Sequence, residues 1–236
     1  MSQNNWNLPL PMAKNLDEMH TYTKVIVCES TEKGTDKRLL ETLIYKHSLL
    51  QANSFYIKTV PPTGSFDEVK GFLTNTLSKQ EYIVSKKIDS VLVIVDADED
   101  PQVRFQEIKK SFDTSVFSVQ SSINSTLPFT KDKIRVGIYL FPDRQNPGSL
   151  ETLALGALRH QNLGSKLKCV NNYINCVLTV DGPMTENNKS KSKFRIFMAS
   201  PEPDRYVHGI MEHIDFNSQF PVSLLQGSLF QRNSSY

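Results

Sequence analysis

Nothing in the chain is long and apolar enough to cross a bilayer: the roughly 18 consecutive apolar residues that a spanning helix needs occur nowhere. The opening stretch "MSQNNWNLPLPMAKNLDEMH" contains no basic segment leading into an apolar one, so no secretory signal is expected. The reading is a cytoplasmic protein with no membrane partner. A surplus of charge is missing too. With 27 basic and 25 acidic residues the net charge is +2, so nucleic acid as a partner has to be argued from a local patch. Cysteine is scarce. Three thiols cannot all pair; Cys28 lies in an apolar run, and Cys169 and Cys176 are seven apart, on one face of a helix. Buried, reduced thiols are the expectation. Zinc is the lesser alternative, because no His or further Cys stands at ligand spacing. The five histidines, at 20, 47, 160, 208 and 213, show no metal spacing either, and the last two fall on different helical faces. A GxGxxG fingerprint is absent, and "FPDRQNPGS" (141–149) has one glycine, too few to cradle a phosphate. Cys28 and Ser30 flank Glu29 without a histidine nearby in sequence, which argues against an activated nucleophile.

What is present suits a packed core. Hydrophobic residues make up 39% of 236, with a mean hydropathy of −0.36. "KVIVCE" (24–29), "SFYIKTV" (54–60), "SVLVIVD" (90–96) and "IRVGIYLFP" (134–142) read as strands, apolar throughout rather than alternating. Between them stand helical patterns: one capped by Thr35 with Asp36 in its first turn, one over 65–77 capped by Ser65, and one over 101–112 opening on Pro101. A fourth follows over 149–158, with Ser149 as its expected cap. Strand and helix thus alternate four times. That pattern predicts an α/β fold: a mostly parallel sheet with helices on both faces. Farther on, a helix is predicted over 166–178, a polar flexible loop over 181–193, a fifth strand at "FRIFMAS" (194–200), and short helices over 207–213 and 221–229. No repeat or internal boundary is evident. The expected organisation is a flexible arm over 1–22, one domain over 23–230 with its core to about 160 and an α/β extension beyond, and a tail over 231–236.

Acids gather where the strands end. Glu29 follows the first, Asp96 and Asp98 the third, and Asp143 and Glu151 the fourth. Ligands of open parallel sheets bind outside those carboxyl ends. Asp100 before Pro101 reads as a helix N-cap and Glu99 as a solvated charge. Glu151 is divided between a helix-dipole partner and a ligand. An extended chain through Ala97 would turn Asp96 and Asp98 to the same side, and two carboxylates there suit Mg²⁺.

"VIVCE" with its capped helix, followed by "VLVIVDAD", resembles the Toprim fold of topoisomerases, primases and related nucleases, whose signature is Glu after the first strand and Asp-x-Asp after the third. "VGIYLFPDRQNPGSLETLAL" and the ending "KFRIFMASPEP…HIDFNSQFPVSLLQGSLF" are similar to a Toprim-like family of unassigned function, and the resemblance covers about 23–230. It also extends to the Toprim domain of overcoming-lysogenisation-defect nucleases, where a later Glu and a Lys complete a two-metal site. The resemblance implies Mg²⁺ or Mn²⁺ as cofactor, with Asp96, Asp98, Glu29 and Glu151 as ligands. It implies Glu29 as ligand or general acid/base, and Lys193 or Lys191 as the cation that steadies phosphate charge. Glu29 is followed by "STEKGTD", longer than the family spacing, so Glu32 stands as the alternative to Glu29. Two functions follow: a Mg²⁺-dependent nuclease acting on phosphodiesters, or a non-catalytic binding module whose acidic pocket holds a cation. A third, receiver-like phosphoacceptor reading needs a Lys after a late strand, and the sequence has Lys193 before one.

Overall fold

The computed structural model describes residues 24–31, 34, 37, 55–60, 62–77, 88–125, 132–159 and 164–199. The expected N-terminal arm, the helix after Thr35, Glu32 and everything expected beyond residue 199 lie outside them. Five strands form one all-parallel sheet: β1 (Lys24–Cys28), β2 (Phe55–Thr59), β3 (Ser90–Asp96), β4 (Phe117–Val119) and β5 (Ile134–Phe141), in the order β2-β1-β3-β5-β4. The described helices are α1 (Phe66–Phe72, running on as a π turn through Leu73–Leu77), α2 (Pro101–Lys110), α3 (Leu150–Arg159), α4 (Gly164–Asp181) and α5 (Glu186–Met198). The chain is an α/β fold.

Both faces of the sheet are dry, as continuous apolar strands require. Val25, Val27, Val91, Val93, Val95, Val136, Ile138 and Leu140 join Phe66, Val69 and Phe72 of α1 and Phe105 and Ile108 of α2 in one core. The alternate positions Ile26, Leu92, Ile94, Tyr139 and Phe141 are just as buried, and α3 lies against β5. Helix starts follow local chemistry. Ser65 caps α1 in a full capping box: its hydroxyl accepts from the Glu68 N–H, and the Glu68 carboxylate accepts from the Ser65 N–H at 3.1 Å. Asp100 caps α2 by accepting from the N–H groups of Gln102 and Val103 at 2.8 and 3.1 Å.

Four expectations need correction. Residues 186–198 form helix α5, not a flexible loop followed by a strand, because Thr185 caps them and accepts from the Asn188 N–H at 3.2 Å. The C-terminal portion is therefore helical as far as it is described, without the expected β component. Ser149 does not cap α3 through its side chain: its hydroxyl is buried without a partner, and the first N–H of the helix, from Leu150, goes to Asp96. Cys169 and Cys176 are exposed on α4, and only Cys28 is buried. Finally, the three-residue β4 at the sheet edge was not anticipated. It is held by Gln120, whose side chain accepts from the Ile138 N–H at 3.1 Å and donates to the Ser125 carbonyl at 2.8 Å.

Candidate functional site

The sheet order makes β1 its switch point: the chain leaves β1 for β2 on one side and returns to β3 on the other. The crevice outside the carboxyl ends of β1 and β3 is where such sheets bind ligands. Register fills it with acids. Cys28 pairs with Ile94, and the Glu29 N–H continues the ladder to the Ile94 carbonyl at 3.2 Å. The Glu29 carboxylate is thereby delivered to the end of β3, where it accepts from the Asp96 N–H at 3.3 Å. Ser30 fixes this exit: its carbonyl accepts from the Val60 N–H at 3.1 Å, and Gly64, at φ +72°, presses on its backbone. A Cβ at Gly64 would sit 2.5 Å from the Ser30 carbonyl carbon.

Asp96 closes β3, and both of its oxygens are engaged. Oδ1 accepts from the Leu150 N–H at 3.0 Å, which places the carboxylate on the positive end of α3. Oδ2 is 3.2 Å from Nζ of Lys191 on α5. Asp98 behaves differently from its neighbour. Its φ of +52° breaks the extended path, so the two aspartates do not share the same partners as an extended chain implies. Arg104 of α2 and the Asn187 side chain, at 2.7 Å, hold the Asp98 carboxylate. Arg104 itself is stacked 3.6 Å from the Phe66 ring centre. The Asp98 backbone exchanges two hydrogen bonds with Gly148, at 2.9 and 2.7 Å.

The electrostatics follow from burial. Desolvation, then the facing charges of Asp96 and Asp98, push Glu29 from its ordinary 4.5 up to about 7. Desolvation also raises Asp96, from 3.8 to about 6; Glu151 adds to the rise, while Lys191 and the Leu150 N–H oppose it. Partial burial works against the Lys191 ammonium, but Asp96, Glu151 and Asp98 outweigh it and hold that lysine above its usual range. Four carboxylates, those of Glu29, Asp96, Asp98 and Glu151, thus interact with two cations, Arg104 and Lys191. Beside them a cavity of about 360 Å³ separates α3 from α5, with Asp98, Thr152, Asn187 and Lys193 on its walls.

The residues proposed from sequence therefore divide. Glu29 and Asp96 are neighbours, Glu151 acts on Asp96 from the first turn of α3, Asp98 is taken up by Arg104 and Asn187, and Lys191 rather than Lys193 pairs with Asp96. Arg104 and Asn187 went unnoticed in the sequence. Their signal was helical spacing: Arg104 lies one turn beyond the Asp100 cap, and Asn187 and Lys191 are four apart on α5. Among the described residues no group of three or more His, Cys, Asp or Glu is arranged to hold a metal ion. Glu29 and Asp96 offer hard carboxylate oxygens, the donor type Mg²⁺ takes, and the charge of Asp96 is met from within by Lys191.

A family model described as "Protein of unknown function (DUF3226)" matches residues 23–219. The chain belongs to the DUF3226 family. No curated protein and no solved structure matches it. The DUF3226 match takes in the whole acidic crevice, from Glu29 to Lys191. No helix among the described residues of this DUF3226 member is long and apolar enough to cross a membrane.

Proposed function

We propose that the chain is a Toprim-like, Mg²⁺-dependent protein acting on phosphodiester bonds as a nuclease or nuclease component, with nucleic acid as substrate. The observation carrying this reading is the pair Glu29 and Asp96: two carboxylates joined at the switch-point crevice through the Asp96 N–H, whose ionisation is displaced toward neutral pH chiefly by burial. Bound there, Mg²⁺ supplies charge neutralisation and Lewis-acid polarisation of a phosphoryl oxygen. Glu29 and Asp96 are the residues that would hold it, and Glu151 would add negative charge from α3. Without the ion, Glu29 sits at about 7 and accepts or releases a proton near neutrality; a bound cation lowers that value. Lys191 brings a cation to the same place for phosphate oxygens, and Lys193 contributes from the cavity wall. Arg104 and Asn187 orient Asp98.

Two measurements test the proposal. Mg²⁺ or Mn²⁺ should raise the melting temperature of the wild type by linkage, and Asp96→Asn should abolish the gain. Single- or double-stranded DNA or RNA should be cleaved with Mn²⁺ by the wild type and not by Asp96→Asn. A metal-independent melting temperature together with no cleavage sinks the reading. A second reading, a non-catalytic binding or assembly module with an acidic pocket, has its own support: Lys191 and Arg104 already neutralise two of the acids from within, which leaves less charge for a catalytic pair of metal ions. Its signature is a metal-dependent melting shift without cleavage.

A further inference from the structure

Acids at a crevice repel a phosphodiester backbone, and a net charge of +2 gives the chain no general attraction for one. Attraction has to come from a local surplus of cations, and the helical hairpin of α4 and α5 has one. Between Gly164 and Met198 stand Lys166, Lys168, Lys189, Lys191, Lys193 and Arg195, against Asp181 and Glu186. That surplus of four leaves the rest of the chain net acidic. Helical geometry arranges it. Lys189 and Lys193 are four apart on one face of α5, and Lys191 and Arg195 four apart on another. Lys191 reaches the crevice at Asp96, and Lys193 stands on the cavity wall, so both rows border the candidate site. The Lys166 ammonium lies 4.3 Å over the Phe197 ring, which brings the start of α4 to the end of α5. Lys168 and Arg195 are exposed, with no side-chain partner among the described residues. The Lys189 ammonium meets Glu186 at 3.1 Å, an acid 84% exposed whose hold is weak. Cations elsewhere are engaged differently: Arg104 by Asp98, Arg135 by Asp89, and Lys109 and Lys133 by backbone carbonyls.

α4 adds an aromatic ring to the cations. Tyr173 is 58% exposed and lies two turns beyond Lys166 on the same helical face. Unpaired strands are held by that combination: phosphates meet the cations and a base stacks on the ring. A duplex keeps its base faces stacked on one another. We propose that the α4–α5 hairpin is a docking surface for single-stranded nucleic acid, gripping the backbone without regard to sequence and leading it along α5 to the crevice. This rests on the nucleic-acid reading above, and on no bound metal ion.

The test is fluorescence anisotropy of a labelled single-stranded oligonucleotide in EDTA, from about 50 to about 200 mM salt, so that neither metal binding nor cleavage enters. The triple variant Lys189→Gln, Lys193→Gln, Arg195→Gln should weaken binding about tenfold or more at low salt. It should also lessen the slope of log affinity against log salt by about 2, three contacts at about 0.7 each. The triple variant Lys109→Gln, Lys110→Gln, Lys133→Gln has the same net charge and should bind like the wild type. Tyr173→Ala should weaken binding about fivefold and keep the slope, because stacking releases no counterion. Circular-dichroism melts confirm that each variant is folded. Equal weakening by the two triple variants overturns the surface and leaves the nucleic-acid reading standing. Wild-type affinity in Tyr173→Ala, or a duplex bound as tightly as the single strand, overturns the single-strand assignment. A wild type that binds phosphatidylserine vesicles but no oligonucleotide overturns the surface and the nucleic-acid reading together.

Discussion

Glu29 and Asp96 carry raised ionisation values into the folded state, about 7 and about 6, so the folded chain holds protons that the unfolded chain has already released. Stability from these two groups is fully present below their ordinary values and is lost as pH rises through the raised ones. In metal-free buffer the urea midpoint should therefore fall between about pH 4.5 and pH 7, and Glu29→Gln should flatten that fall; a midpoint that rises over the window contradicts the assignment. Sequence alone exposed some of these roles. Asp100 was legible as a cap because a carboxylate before Pro101 has one simple use. Asp98 was not, since its left-handed backbone and its hold by Arg104 depend on a helix and a loop that pair only in the folded chain.

At the scale of elements, α5 shows why local reading fails. "FRIFM" places bulky apolar residues close together, as a strand does, and "NNKSKSK" has a composition typical of loops. The Thr185 cap and the burial of Phe197 against neighbouring helices decide otherwise. β4 escaped notice for the opposite reason: three residues are too few to carry a pattern. Caps read more reliably, and they can be tested. Asp100→Ala removes an acceptor that serves two N–H groups and should cost about 1 kcal/mol in chemical denaturation.

For the whole molecule, the parallel sheet was evident in strands that stay apolar from end to end. The strand order was not, because β5 slips between β3 and an edge strand that the sequence hardly marks. The order matters for the site: β1 flanked by β2 and β3 is what opens the crevice that Glu29 and Asp96 share. Phe105 of α2, fully buried under that sheet, should cost about 3–5 kcal/mol on replacement by Ala, measured by urea unfolding.

The paired hydrogen bonds between Asp98 and Gly148 stitch the loop after β3 to the loop after β5. Gly148 is at φ +138°, and a Cβ there would meet Thr152 Oγ1 at 2.8 Å, so the stitch depends on glycine. Loops at a ligand-binding edge ordinarily surrender their amide protons to solvent within moments. Here the amides of Asp98 and Gly148 should exchange with deuterium as slowly as those of the central strands, which makes the floor of the crevice part of the sheet's rigid body.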